Sequence, residues 1–132
     1  MVEVFLVDDE PLLIDFYEKI LSLNGFKVVG VAENGEDAVR KFKSFKRKPE
    51  VILMDHRMPE KTGLEASKEI LQIDKSVKII FLSADLGIKE EALSIGAFSF
   101  RVKPFSKDQL LNELEKAVNS HKNSVKRSQK IP

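Results

Sequence analysis

Val51-Ile52-Leu53-Met54-Asp55 is the stretch that decides the fold. Four apolar residues in a row leave no polar face, so a strand built from them is buried on both sides, as in a parallel sheet. The run then breaks at a carboxylate. Residues 77–82 repeat the pattern in Val, Ile, Leu and Phe around one lysine, and they break at Ser83. Three more runs of strand length, Val2–Val7, Phe26–Ala32 and 97–102, bring the total to five.

Helical patterns fill the intervals. Pro11–Leu23 is expected to bury a stripe of Leu12, Leu13, Phe16, Ile20 and Leu23, with Asp15, Glu18 and Lys19 outside. Pro11 suits a first turn and Asn24-Gly25 an end. Residues 36–46 repeat the pattern through Ala38, Val39, Phe42 and Phe45; 64–73 and 88–95 are shorter, the latter stopped by Gly96. Residues 106–120 open on a capping signal, Ser106 with Gln109 three positions on, followed by Leu110, Leu111, Leu114 and Val118. Five βα units with short right-handed connections give an α/β fold, a doubly wound parallel sheet with helices on both faces.

Composition fits this reading. Hydrophobic residues make up 42% and charged residues 33% of 132, the balance of a globular domain with one core. There is no cysteine, which excludes disulfides and thiolate metal sites. No apolar run approaches the roughly 20 residues of a membrane span, and the apolar start is too short for a signal peptide. A cytoplasmic location is expected. From His121 on there are four cations (Lys122, Lys126, Arg127, Lys130) and no acid, so the net +1 of the chain becomes −3 for the body. Residues 1–120 are read as the domain, and 121–132 as a solvated basic tail or the start of a linker. Neither nucleic-acid binding nor membrane contact is expected of the domain.

In a doubly wound sheet, function collects at the carboxyl ends of the strands. Those ends carry Asp8-Asp9-Glu10, Asp55, Ser83 and Lys103-Pro104. Crowded carboxylates repel unless a cation sits among them, and hard oxygen donors with room for water suit Mg²⁺. Lys103 offers a point charge to an anion and Ser83 a hydroxyl. No glycine-rich phosphate cradle is present. Such a site suits one small phosphoryl group over a metal.

The segments Val7-Asp8-Asp9-Glu10-Pro11, Met54-Asp55-His56-Arg57-Met58-Pro59 with Thr62-Gly63, Leu82-Ser83-Ala84 and Phe100-Arg101-Val102-Lys103-Pro104-Phe105 resemble the receiver domains of response regulators over roughly residues 2–120. The resemblance implies the flavodoxin-like (βα)5 arrangement with strand order 2-1-3-4-5. It implies that Asp55 accepts a phosphoryl group from the phosphohistidine of a histidine kinase or phosphotransfer protein, with Mg²⁺ as cofactor. Asp9 resembles the direct metal ligand, Asp8 the ligand acting through water, and Asp55 completes the set. Arg57 stands where a backbone carbonyl meets the metal. Lys103 resembles the lysine that pairs with phosphoryl oxygens, and Ser83 with Phe100 the hydroxyl and aromatic switch pair. The face of the fourth helix, fifth strand and fifth helix is then expected to serve effector contact or self-association. His56 has no counterpart in the pattern. The family is a signalling one, so no turnover of external substrates is expected.

Taken singly these residues have plainer readings: helix-capping acids, a loop aspartate, a surface lysine, a core phenylalanine. Their joint occurrence at four strand ends favours the site. An aspartate-nucleophile phosphatase would carry a second carboxylate two residues after Asp55, where Arg57 stands. A module that had lost phosphorylation would not keep Asp8, Asp9, Asp55 and Lys103 together. Two geometric expectations follow. The Lys103–Pro104 peptide is cis, since a cis bond to proline costs only about 0.5–1 kcal/mol. Arg57 and Asp85, each two residues past Asp55 or Ser83, pair across the solvent side of the site.

Overall fold

A computed structural model describes residues 1–130, with side chains through Ser120. The order is β1 (Val2–Val7), α1 (Pro11–Leu23), β2 (Phe26–Ala32), α2 (Gly35–Ser44), β3 (Val51–Met54), α3 (Gly63–Ile73), β4 (Lys78–Ser83), a 3-10 turn (Leu86–Ile88), α4 (Lys89–Ser94), β5 (Ser99–Val102) and α5 (Lys107–Lys130). The five strands are all parallel, in the order β2-β1-β3-β4-β5. The expected α/β architecture and strand order are what the chain adopts.

Strand alternation divides the core in two. Phe5, Val7, Ile52, Met54, Ile79 and Phe81 face α2, α3 and α4 through Val39, Phe42, Ile70 and Ala92. Val4, Leu6, Val51, Leu53, Ile80 and Leu82 face α1 and α5 through Ile14, Tyr17, Leu21 and Leu114. With both faces covered, the uninterrupted apolar runs of β3 and β4 are accounted for.

The α1 stripe differs from expectation. Ile14, Tyr17, Ile20 and Leu21 are buried, whereas Leu12 is 84% and Leu23 85% exposed. The helix carries two apolar stripes, so periodicity fits either, and packing selects the one that sets the Tyr17 ring on Phe105. Element ends shift too. Residues 97–98 precede β5, and residues 88–95 divide between Ile88, the end of the 3-10 turn, and α4 from Lys89. The α2 helix stops at Ser44 because Phe45 turns into an extended conformation and sets its ring edge-on to Phe5, 5.1 Å away. Lys48 Nζ donates to the carbonyls of Phe42, Lys43 and Phe45, satisfying the open helix end. The backbone of α5 continues past Ser120, and no glycine or proline interrupts it before Lys130. The tail cations Lys122, Lys126, Arg127 and Lys130 lie outside the described side chains.

Candidate functional site

The order of the strands reverses between β1 and β3, and there the acidic residues stand. Three site residues hang on the last rung of the sheet. The Asp8 N–H donates to Ala32 O (3.0 Å), the Asp55 N–H to Val7 O (2.9 Å) and the Lys103 N–H to Ser83 O (2.9 Å). The ladder thus runs one residue past each strand, and the backbone of the site is as rigid as the sheet.

Asp8 is 2% and Asp55 6% exposed, while Asp9 and Glu10 face solvent. Lys103 Nζ lies 3.1 Å from Asp8 Oδ2 and 3.6 Å from Asp55 Oδ1, so one cation bridges two buried carboxylates. Asp8 Oδ1 accepts the Glu10 N–H (3.0 Å) and Asp55 Oδ1 the His56 N–H (2.9 Å). Burial pushes the Asp55 carboxyl up to about 6; Lys103 opposes the shift, Asp8 adds to it, the His56 N–H opposes it, and Asp9 adds again. The peptide before Pro104 is cis, as expected.

The acids at the end of β1 do not cap α1. Its N-cap is Glu10, whose side chain makes no capping bond, so side-chain capping does not account for three successive acids. One carboxylate oxygen from each of Asp8, Asp9 and Glu10 falls within 4.8 Å of the others. This oxygen-only donor set is suited to a hard divalent cation. Asp55 stands outside that cluster and is tied to it through Lys103.

Ser83 is buried, and its Oγ accepts the Asp85 N–H (3.0 Å). Asp85 in turn accepts the Gly87 N–H (3.0 Å) and starts the 3-10 turn. Phe100 is buried and stacked on Phe81, 6.5 Å between ring centres. Ser83, Phe81 and Phe100 lie on the face that α4 covers, opposite to Asp8 and Asp55. Arg57 is exposed, and its Nη2 lies 3.6 Å from Asp85 Oδ2, forming the expected pair. His56 is half-buried, and its burial lowers the imidazole pKa.

Two features escaped the sequence reading. Tyr17 lines a cleft of about 600 Å³ together with Glu10, Ala84, Lys103 and Phe105, which puts an aromatic residue of α1 at the lysine loop. Its only sequence signal is a phenol within an apolar helix. The second is a close approach: a β-carbon on Gly63 would lie 2.1 Å from the Asp55 carbonyl oxygen. Thr62-Gly63 belongs to the motif around Asp55, but this tight fit depends on a contact across the loop.

The response regulator receiver domain model matches residues 4–115 of the chain. The chain is 41% identical over 118 residues to the chemotaxis protein CheY of Bacillus subtilis, covering 88% of this chain and 97% of the relative. Among solved structures it is similar to the receiver domain of the sensor histidine kinase PA1611 of Pseudomonas aeruginosa, solved with a magnesium ion coordinated in the active-site cleft (TM-score 0.79, 30% identity, 89% of this chain and 97% of that one). It is also similar to the CheX-CheY-BeF3-Mg²⁺ complex of Borrelia burgdorferi (TM-score 0.83, 27% identity, 88% of each chain).

Proposed function

The chain belongs to the response regulator receiver domains of two-component signalling, and from that premise we propose that Asp55 is its phosphoryl acceptor, in a reaction that requires Mg²⁺. The observation that carries this reading is the bridge of Lys103 across two buried carboxylates at the strand-order reversal. Such an arrangement costs folding free energy and is suited to an incoming anion.

The donor is a phosphohistidine on a histidine kinase or phosphotransfer protein. Asp9 and Asp8, with Asp55 and the Arg57 carbonyl, would hold Mg²⁺, and the Asp8-Asp9-Glu10 cluster supports that assignment. When bound, the ion neutralises phosphoryl oxygens as charge shifts onto them. Asp55 supplies the carboxylate that attacks phosphorus while the donor nitrogen leaves, giving an acyl phosphate. Lys103 turns from the carboxylates to the phosphoryl oxygens and stabilises their charge. Ser83 releases the Asp85 N–H and donates its hydroxyl to the same group. The turn that Asp85 caps then rearranges, and Phe100 repacks beneath α4. Leu93 of α4 and Val102 of β5 are exposed, which supports effector contact or self-association at the face of α4, β5 and α5.

Residues 1–120 are taken as the receiver unit and 121–132 as a basic tail or the start of a linker. Among the described residues no helix is long and apolar enough to cross a membrane. The working location is the cytoplasm, and the protein turns over no external substrate. Incubation with acetyl phosphate and Mg²⁺ is expected to add one phosphoryl group, seen in the intact mass. Chelation of the metal or Asp55→Asn abolishes the addition. Full labelling of Asp55→Asn would overturn the assignment.

A further inference from the structure

Tyr17 is 2% exposed, and its hydroxyl has no hydrogen-bond partner among the described residues. A buried hydroxyl without a partner destabilises a fold, and a phenyl ring would fill the same space without that cost. The hydroxyl is therefore unexplained by packing. The ring lies parallel to Phe105, tilted by 8° with 6.2 Å between centres, and Phe105 is two residues beyond Lys103. Both rings line the cleft that Lys103 and Glu10 also border. Tyr17 packs on the same side of the sheet as Val4 and Leu6 of β1 and Val51 and Leu53 of β3, the side toward which alternation directs Asp8 and Asp55. Besides burial, which raises its pKa most, the carboxylates of Asp8, Asp55 and Glu10 raise it, in that order.

Both oxygens of Asp8 already have donors: Oδ1 takes the Glu10 N–H and Oδ2 the Lys103 ammonium. If Lys103 moves to a phosphoryl group on Asp55, Oδ2 loses its one side-chain donor among the described residues, and the buried carboxylate, which would meet the metal only through water, keeps room for another. We propose that Tyr17 is a positioning residue for Lys103: its ring fixes the Lys103–Phe105 turn, and its hydroxyl donates to Asp8 as Lys103 leaves. No bond is made or broken in this exchange, and no proton changes owner; one donor replaces another on one oxygen. The exchange lowers the cost of moving the lysine, so it speeds phosphoryl transfer without touching the phosphoryl group.

The inference rests on the proposed role of Asp55 and Lys103, and its test keeps the two apart. Acetyl phosphate labelling in Mg²⁺ is timed for wild type, Tyr17→Phe, Lys103→Ala and the double variant, with thermal unfolding of each. Failure of wild type to label would overturn the acceptor assignment, and the inference with it. With wild type labelled, Tyr17→Phe is expected to unfold at a higher temperature and yet to label about fivefold more slowly. In the Lys103→Ala background the same substitution has no further effect on rate, because the lysine whose departure it assists is gone. Tyr17→Leu removes the stack as well and slows labelling further. An unchanged rate in Tyr17→Phe, or the same slowing with and without Lys103, would overturn the inference while leaving the Asp55 assignment intact.

Discussion

Asp55 is the residue at which the cost of the site is concentrated. Its carboxyl has an ordinary value of 3.8 and is pushed up to about 6 in the fold, first by burial, with Lys103 opposing the shift and Asp8 adding to it. The folded chain therefore binds more protons than the unfolded chain between those two values. Stability falls as pH rises through that window, and above it the whole cost remains. Asp55→Asn removes the buried charge and leaves Lys103 its bond to Asp8. In metal-free buffer at neutral pH the variant is expected to be more stable by on the order of 1–3 kcal/mol in urea unfolding. The gap closes below about pH 4. Equal stability at neutral pH would show that Asp55 is not strained by its surroundings. The Arg57–Asp85 pair is a second prediction at this scale. An exposed pair contributes only about 0–1 kcal/mol to stability, but with Asp55 as the proposed acceptor this one is expected to stand where an attacking water would enter. Replacing both by Ala is expected to speed loss of the phosphoryl group about tenfold, equivalent to about 1.4 kcal/mol of barrier. Arg57→Ala alone gives most of it, and is the cleaner single variant because Asp85 also starts the 3-10 turn. Unchanged dephosphorylation rates in Mg²⁺ buffer would leave both as ordinary surface charges.

At the scale of elements, the strands were legible because unbroken apolar runs have few other uses. Val51–Met54 has the bounds that its residues imply. The cap of α5 was legible as well: Ser106 and Gln109 exchange their bonds as the spacing suggests, 3.1 and 2.8 Å. The buried face of α1 was not, because Leu12, Leu13, Phe16 and Leu23 and the set Ile14, Tyr17 and Leu21 both recur at helical spacing. The choice between them is made by the sheet and by Phe105, far away in sequence. The same limit hid the role of Gly63. Its N–H donates to His56 O (2.9 Å) while Thr62 and Glu65 form a capping box beside it. The loop after Asp55 is thereby folded back against its own start. A methyl group at Gly63 would press on the Asp55 carbonyl, so Gly63→Ala is expected to destabilise by about 1–3 kcal/mol and to slow labelling. Wild-type values for both would show that the loop yields without moving Asp55.

For the whole molecule, the sheet separates the proposed acceptor from the proposed switch pair. Asp8, Asp55 and Tyr17 belong to the side covered by α1 and α5, while Ser83, Phe81 and Phe100 lie under α4. Lys103 and Ser83 are joined by one rung of the ladder, which couples the two sides. Burial of Glu113 against Arg101 holds β5 to α5; burial alone would raise the pKa of that carboxyl, and the guanidinium lowers it past its ordinary value. A phosphoryl mimic in Mg²⁺ is accordingly expected to shift backbone amide resonances of residues 86–102 more than those of β2, which lies across the sheet. Identical spectra over 86–102 would argue against a switch on that face. The central claim is that one side chain takes the phosphoryl group as an acyl phosphate. The measurement that reaches it most directly is transfer from a phosphorylated histidine kinase, followed by borohydride reduction and peptide mapping. Reduction converts an aspartyl phosphate to homoserine. Homoserine at position 55 and at no other position is the predicted result; an unmodified Asp55, with the label on another residue or stable to reduction, would contradict it.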